Sequence, residues 1–170
     1  YQNSPNYLQL HPSIPADKVI IINNYLDLKT GKRYETLGAI YRDALTFVPE
    51  GVDVINHFDD DDFFLPEHIS KGVEGLISSG KTAYKAKKSI FLQKGLKPIL
   101  TENVMEPSIF VKKEHIDKYG YSEETTAQHL QWVQPLIDRG DIYAPLDGTP
   151  TLAYNWNALG ETVFKTSGNP

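Results

Sequence analysis

Four consecutive aspartates, Asp59 to Asp62, have the clearest capacity for chemistry in this chain; they follow a hydrophobic segment and precede Phe63-Phe64-Leu65-Pro66. Adjacent carboxylates repel one another by about 1 kcal/mol per pair in water, and by more near a protein surface. Hard divalent cations bind carboxylate oxygens, and Mg²⁺ or Mn²⁺ commonly bridges protein carboxylates to substrate phosphates. The run therefore predicts a metal–diphosphate site. The alternative is a solvated acidic turn in which Asp62 helps to cap the next helix.

The segments around the aspartates predict an α/β layer fold. Residues 52–58 and the β-branched residues 18–23 are typical of strands. The apolar residues of 35–48 recur at helical spacing, and Pro66 suits the first turn of another helix, where its missing N–H costs nothing. Strand and helix thus alternate, as in layered α/β domains. Ligands of such domains bind outside the carboxyl ends of the strands, which is where the aspartates lie.

The second half of the chain is expected to continue with mixed elements. The expected strands are residues 82–92, 108–112, 142–146 and 151–156. The expected helices are 115–119, ended by Gly120, and 125–139, in which Pro135 predicts a kink or a break.

Composition restricts the classes of protein that fit. The 170 residues, 40% hydrophobic and 23% charged, predict one domain over 1–170 with 157–170 as a tail. A net charge of −5 argues against nucleic-acid binding, which needs a basic surface. Cysteine is absent, which excludes disulfides and thiol chemistry and fits a reducing compartment, so we expect a cytoplasmic protein. No apolar run approaches the roughly 20 residues of a membrane span.

Several segments together resemble family 2 glycosyltransferases, which have the GT-A fold. The pattern Asp59-x-Asp61-Asp62-x-x-x-Pro66 is similar to the DxD corner of that family. Four other segments agree with family motifs in order and spacing: 1–8 with the loop after the first strand, 19–24 with the second strand, 38–44 with the G-x-x-x-A-R-N-x-G helix, and 108–121 with the acceptor-side segment that ends in G-G-F. The resemblance covers residues 1–156 and implies that the first strand of the family would precede Tyr1.

The resemblance implies a fold and an activity. The fold would be a Rossmann-like, mostly parallel central sheet with flanking helices, a three-layer sandwich. The activity would be the metal-dependent transfer of a sugar from a nucleotide-diphosphate sugar to an acceptor hydroxyl of a carbohydrate or another molecule, with inversion. The cofactor would be Mn²⁺ or Mg²⁺.

The resemblance also implies site residues. Asp61 would be the chief metal ligand, with Asp59 and Asp62 contributing to the metal site. The residues that would contact the nucleotide sugar are Asn3, Pro5, Asn24, Arg42, Asp59 and Asp60. Asn24 differs from the family, which usually has a base-binding aspartate there, so the preferred nucleotide is left open.

The expected catalytic base also departs from the family pattern. Counting back from Gly140, Gln128-His129 stands where inverting members usually have a Glu-Asp pair. An inverting transfer needs a general base for the acceptor hydroxyl, and histidine can serve near neutral pH. His129 is therefore the first candidate base, although it could instead bind metal or pack in the helix. Glu124, with Glu123 beside it, is the rival candidate.

Two other functions fit the aspartates. A sugar-phosphate nucleotidyltransferase also combines a similar sheet with a carboxylate-held metal, but it usually begins with a Gly-rich basic loop that is not seen here. A non-catalytic module that binds a cation or a carbohydrate is the second alternative. Trp132 and Trp156 could stack on a sugar ring, and core packing is the alternative for each.

Overall fold

The computed structural model describes residues 25–59, 61–102, 105–146 and 148–156. Within these ranges the chain is mixed α/β, with four α-helices and two four-stranded sheets. The elements in chain order are α1 Leu37–Leu45, β1 Val54–Ile55, β2 Phe63–Phe64, α2 His68–Ser79, β3 Ala83–Lys85, β4 Ser89–Gln93, β5 Ile99–Thr101, β6 Ile109–Lys112, α3 Lys113–Tyr119, α4 Leu130–Asp138, β7 Ile142–Tyr143 and β8 Leu152–Trp156.

The first sheet has the strand order β1-β6-β3-β7. Strand β6 is antiparallel to both β1 and β3, and β3 is parallel to β7. Strands β1, β3 and β7 therefore run in one direction, and their carboxyl ends share an edge with the amino end of β6. The described sheet is mixed, and the strand predicted over 18–23 lies outside the described residues.

Helices cover both faces of the first sheet. Successive side chains of a strand point to opposite faces. Accordingly Phe110 of β6 packs with Tyr84 and Leu76 on the face covered by α2. Its neighbours Ile109 and Val111 belong to the main core on the other face, and the buried residues that share this core are Ala83, Ile116, Tyr121, Trp132, Val133 and Leu136. Each large apolar side chain buried in this way stabilises the fold by about 1.5–3 kcal/mol.

Helix α2 lies unusually close to this sheet. A Cβ atom on Gly72 would come within 2.3 Å of the Phe110 ring, and one on Gly75 within 2.2 Å of the Tyr84 ring. The two glycines thus allow the rings to lie against the helix backbone. The close approach fixes α2, which follows the segment that carries the aspartates, against the first sheet.

The second sheet has the strand order β2-β8-β4-β5, with β4 and β8 parallel and the other pairs antiparallel. The prediction of one continuous strand-like segment over 82–92 is wrong. It forms β3 and β4, which belong to different sheets, because the chain leaves the first sheet after Lys85 and joins the second at Ser89. Strand β2 follows the aspartates directly, so the acidic run connects the two sheets.

Several predicted elements are shorter in the structure. The strand predicted over 52–58 is paired only at Val54–Ile55, and α1 spans Leu37–Leu45 within the predicted 35–48. The helix predicted from residue 125 begins at Leu130, and Pro135 lies inside α4 without ending it. In the part of the chain that the structure describes, no helix combines the length and the apolar character required to cross a bilayer.

Candidate functional site

The aspartate run forms a tight corner beyond the carboxyl end of β1. The N–H of Asp62 donates to the carbonyl oxygen of Asp59 at 3.4 Å, which turns the chain toward β2. Asp59 is half-buried and Asp61 is exposed, whereas Asp60 lies outside the described residues. The described carboxylates of the corner therefore lie in different environments.

Asp62 connects the corner to the second sheet. Its Oδ1 accepts a hydrogen bond from the backbone N–H of Asn155 in β8 at 2.8 Å. Burial raises the pKa of Asp62 to about 7, the charges of Asp59 and Asp61 raise it as well, and the Asn155 N–H opposes the shift. The alternative in which Asp62 caps the next helix is wrong, because the residue at the start of α2 is Glu67 and makes no side-chain cap.

Tyr41 of α1 reaches the other side of the corner. Its hydroxyl donates to Oδ1 of Asp59 at 3.4 Å. Burial raises the pKa of Tyr41 far above its usual range, and the charges of Asp59 and Glu106 raise it further. Tyr41 is therefore a protonated donor at neutral pH, and its hydroxyl feels the charges of both Asp59 and Glu106.

Glu106 is the centre of a buried polar cluster at the same sheet edge. It begins a 3₁₀ turn, Glu106–Ser108, that leads into the amino end of β6, and it is 8% exposed. Its Oε1 lies 3.5 Å from Nε2 of His57, and its Oε2 lies 3.3 Å from Nδ1 of His129. Gln128 donates to the same Oε2 at 3.2 Å. One carboxylate thus faces two histidines.

Aromatic rings join this cluster to the acidic corner. The ring centroids of Tyr41 and His57 are 5.2 Å apart, and those of His57 and Tyr121 are 5.7 Å apart. The Tyr121 hydroxyl also contacts Nε2 of His57. Burial lowers the pKa of His57, although the charge of Glu106 opposes this effect. Asp59 is therefore connected to Glu106 through successive contacts of Tyr41 and His57.

His129 lies at the boundary of the cluster. It is the residue at the start of α4, and its side chain is 23% exposed although Nδ1 is buried. The exposed part of the side chain therefore belongs to atoms other than Nδ1. A ring with one nitrogen against a carboxylate and another part open to solvent is suited to proton transfer.

Arg42 and the rival base candidates, Glu123 and Glu124, meet where α1 contacts the loop before α4. The Arg42 guanidinium is 2.9 Å from both Asp27 and Asp43 and 2.5 Å from Glu123, and these contacts raise its pKa. Glu123 is thus already paired. Glu124 is exposed, and its backbone oxygen accepts the N–H of Gly38 at 2.9 Å. The structure therefore places Arg42 among carboxylates.

The structure brings together only part of the predicted site. Asp59 is connected through Tyr41, His57 and Glu106 to His129, and Asp61 lies exposed at the same corner. Asn3, Pro5, Asn24 and Asp60 lie outside the described residues. Sequence reasoning missed Glu106, Tyr41 and Tyr121. The only local signal for Glu106 was its position as a single acid just before Pro107 and the apolar strand β6. Trp132 is a core residue with no exposed surface, and Trp156 lies half-buried in β8.

The opposite edge of the first sheet has an open groove of about 600 Å³. The amino end of β1, the carboxyl end of β6 and the end of α2 line it. None of the three aspartates of the corner that the structure describes, Asp59, Asp61 and Asp62, lines this groove. The acidic corner and the groove are therefore separate features at opposite strand ends.

A metal at the described carboxylates would have to be shared with a ligand. Among the residues whose positions are described, no three His, Asp or Glu side chains are arranged to hold a metal ion. Mg²⁺ typically needs only one or two protein carboxylates, because water and substrate phosphates supply the other ligands. Oδ2 of Asp62 is buried and has no hydrogen-bond partner in the described part of the chain, which favours a bound proton or cation there.

Comparisons of the chain with protein-family models, with curated proteins and with solved structures found no match in any of the three.

Proposed function

We propose that this protein is a metal-dependent glycosyltransferase of the GT-A type, which moves a sugar from a nucleotide-diphosphate sugar to an acceptor hydroxyl. One observation carries the proposal: the aspartate corner and the Glu106–His129 pair lie at the same edge of the first sheet, joined by Tyr41 and His57. Sugar transfer needs a cation for the leaving diphosphate and a base for the acceptor. The two groups are suited to these tasks.

Asp59 and Asp61 are the proposed ligands of Mn²⁺ or Mg²⁺, with Asp62 in support. Asp61 is exposed and can meet a ligand, whereas Asp62 is tied to β8 and holds the corner in shape. The metal would supply positive charge to the diphosphate as it leaves. This division of roles explains why carboxylates that repel one another stand together.

His129 is the proposed base. Its partly exposed side chain lies beside a carboxylate, whereas Glu124 is an exposed side chain on the loop before α4. An acceptor hydroxyl that lost its proton to His129 would attack the donor sugar from the side opposite the diphosphate, with inversion. Inversion is expected from the resemblance to family 2.

The topology also supports a GT-A-like domain. Three strands of the first sheet run in one direction, helices cover both faces, and the acidic corner follows a carboxyl strand end. Ligand sites of open α/β sheets are found at such ends. The absence of cysteine supports a further proposal, a reducing, cytoplasmic location.

Binding of nucleoside diphosphates tests the metal role. Asp61→Ala should abolish Mn²⁺-dependent binding of UDP or GDP in calorimetry while leaving the thermal unfolding midpoint unchanged. The matched control is Asp53→Ala, which removes an exposed acid from the other end of the same strand and should bind normally. Unchanged affinity of the Asp61 variant would count against the metal site.

Turnover distinguishes the proposed enzyme from its alternatives. Mn²⁺-dependent release of UDP or GDP from nucleotide sugars is expected of the transferase. A protein that binds the diphosphate and never releases it from a donor would be a binding module. Release of pyrophosphate from a nucleoside triphosphate and a sugar phosphate would identify a nucleotidyltransferase instead.

A further inference from the structure

Glu106 is a buried acid to which neither the sequence pattern nor the metal site assigns a role. A buried carboxylate is costly unless it is paired and hydrogen-bonded. Gln128 supplies one hydrogen bond to Oε2, and Oε1 has no hydrogen-bond partner among the described residues. The carboxylate is therefore kept where its charge faces the two histidine rings.

The nearer histidine contact is with His129. Nδ1 of His129 is buried, lacks an aligned hydrogen bond within the described chain and lies 3.3 Å from Oε2 of Glu106. A small rotation of the ring would align an Nδ1–H with that oxygen. Which nitrogen of a histidine carries the proton is set by the hydrogen bond that the other nitrogen makes or lacks. Oε2 is thus placed to select the Nδ1–H form.

We propose that Glu106 is a positioning residue for His129: it accepts the Nδ1–H, holds the ring and leaves the lone pair of Nε2 available to the acceptor hydroxyl. The inference rests on the proposed function, since it assigns a partner to the base of that reaction. It also explains how His129 can stand where the resembled family usually has an acidic base. A neutral histidine paired with Glu106 has the same total charge as a single carboxylate.

The proton and the electrons balance in the proposed step. The acceptor oxygen forms a bond to the anomeric carbon as its proton passes to Nε2 of His129. The bond from that carbon to the diphosphate oxygen breaks, and its electron pair leaves with the diphosphate. His129 becomes an imidazolium, which the negative charge of Glu106 stabilises until the proton passes to water.

The tautomer of His129 tests the inference without any substrate. In ¹⁵N–¹H NMR of the whole chain above neutral pH, the wild-type ring should carry its proton on Nδ1. The Glu106→Ala variant should revert to the Nε2–H form that unpaired imidazoles prefer, whereas Glu106→Gln, whose amide oxygen can still accept, should keep Nδ1–H. A wild-type ring protonated on Nε2 would overturn the inference, even if the alanine variant failed to fold.

Kinetics test whether this positioning matters for transfer. With Mn²⁺ and UDP-glucose or GDP-mannose as probes, Glu106→Ala should lower kcat for nucleotide release by about 10-fold or more and leave the donor KM unchanged. Glu106→Gln should lose less, and the exposed control Glu114→Gln should lose nothing. Normal kcat in Glu106→Ala would overturn the inference. If the wild type released no nucleotide, the proposed function would fail, and the NMR result would still decide the role of Glu106.

Discussion

At the scale of single residues, burial separates side chains that look alike in the sequence. Asp61 and Asp62 are neighbours, yet one is exposed and the other has its pKa raised to about 7 by burial. Glu106 and Glu124 are both glutamates outside the aspartate run, yet only Glu106 is buried against histidines. Chemical roles therefore follow from the surroundings of each carboxylate and not from its residue type.

The base assignment makes a residue-scale prediction. His129→Ala should lower turnover by about 10²-fold or more, because a general base contributes roughly that factor to proton transfer. Steady-state release of UDP or GDP from the donor measures the effect. The metal-dependent binding of UDP should stay intact, since His129 is not among the proposed ligands.

A matched variant separates the two base candidates. Glu124→Gln changes an exposed side chain of the same loop and should leave turnover close to that of the wild type. Near-normal turnover of His129→Ala together with a large loss in Glu124→Gln would move the base to Glu124.

At the scale of elements, the site depends on the contact between α1 and the loop before α4. The Gly38 N–H donates to the carbonyl oxygen of Glu124, and the backbones meet so closely that a Cβ on Gly38 would lie 1.8 Å from the Ser122 oxygen. The Thr36 side chain caps the start of α1 by accepting the Ala39 N–H. This contact sets the position of Tyr41 relative to the corner.

Gly38→Ala tests that contact. The added methyl group cannot fit against a backbone oxygen, so α1 must move, and we expect unfolding to require about 1–3 kcal/mol less free energy. Urea denaturation measures the loss, and donor turnover should fall with it. Ile40→Ala, at a partly exposed position of the same helix, is the control and should cost less. Equal losses in both variants would show that the close approach is unimportant.

At the scale of the whole molecule, buried histidines couple folding to pH. His68 and His115 are both buried, and burial lowers the pKa of each, although backbone carbonyl oxygens partly offset the effect. Below about pH 6.5 the two histidines become protonated in the unfolded chain but stay neutral in the folded protein. The free energy of unfolding should therefore fall as the pH falls.

His115→Gln tests this coupling. The neutral His115 ring donates from Nε2 to the Trp132 carbonyl oxygen at 2.8 Å, and a glutamine amide can replace that donor without titrating. Thermal unfolding between about pH 5 and pH 7.5 should therefore show a smaller loss of stability in the variant than in the wild type. Parallel curves for the two proteins would contradict a role for His115.

The alternation of strand and helix, the place of the aspartates after a strand, and the end of α3 at Gly120 could all be predicted from the sequence. Each of these features depends on a local property of the sequence: the spacing of apolar residues, the missing N–H of proline or the conformational freedom of glycine. The helix predicted over 35–48 was confirmed because its apolar spacing is also a local feature. The observed helix, Leu37–Leu45, is shorter at both ends.

Tertiary structure alone decided which polar groups meet. Glu106 is far in sequence from both His57 and His129, and no local pattern records that β6 enters the sheet between β1 and β3 and so carries Glu106 to the edge where the aspartates lie. The sequence also did not reveal that residues 82–92 divide between two sheets, because strand pairing depends on partners that are distant in the chain. Contacts between distant segments arise from packing the whole chain, which spacing along one segment does not encode.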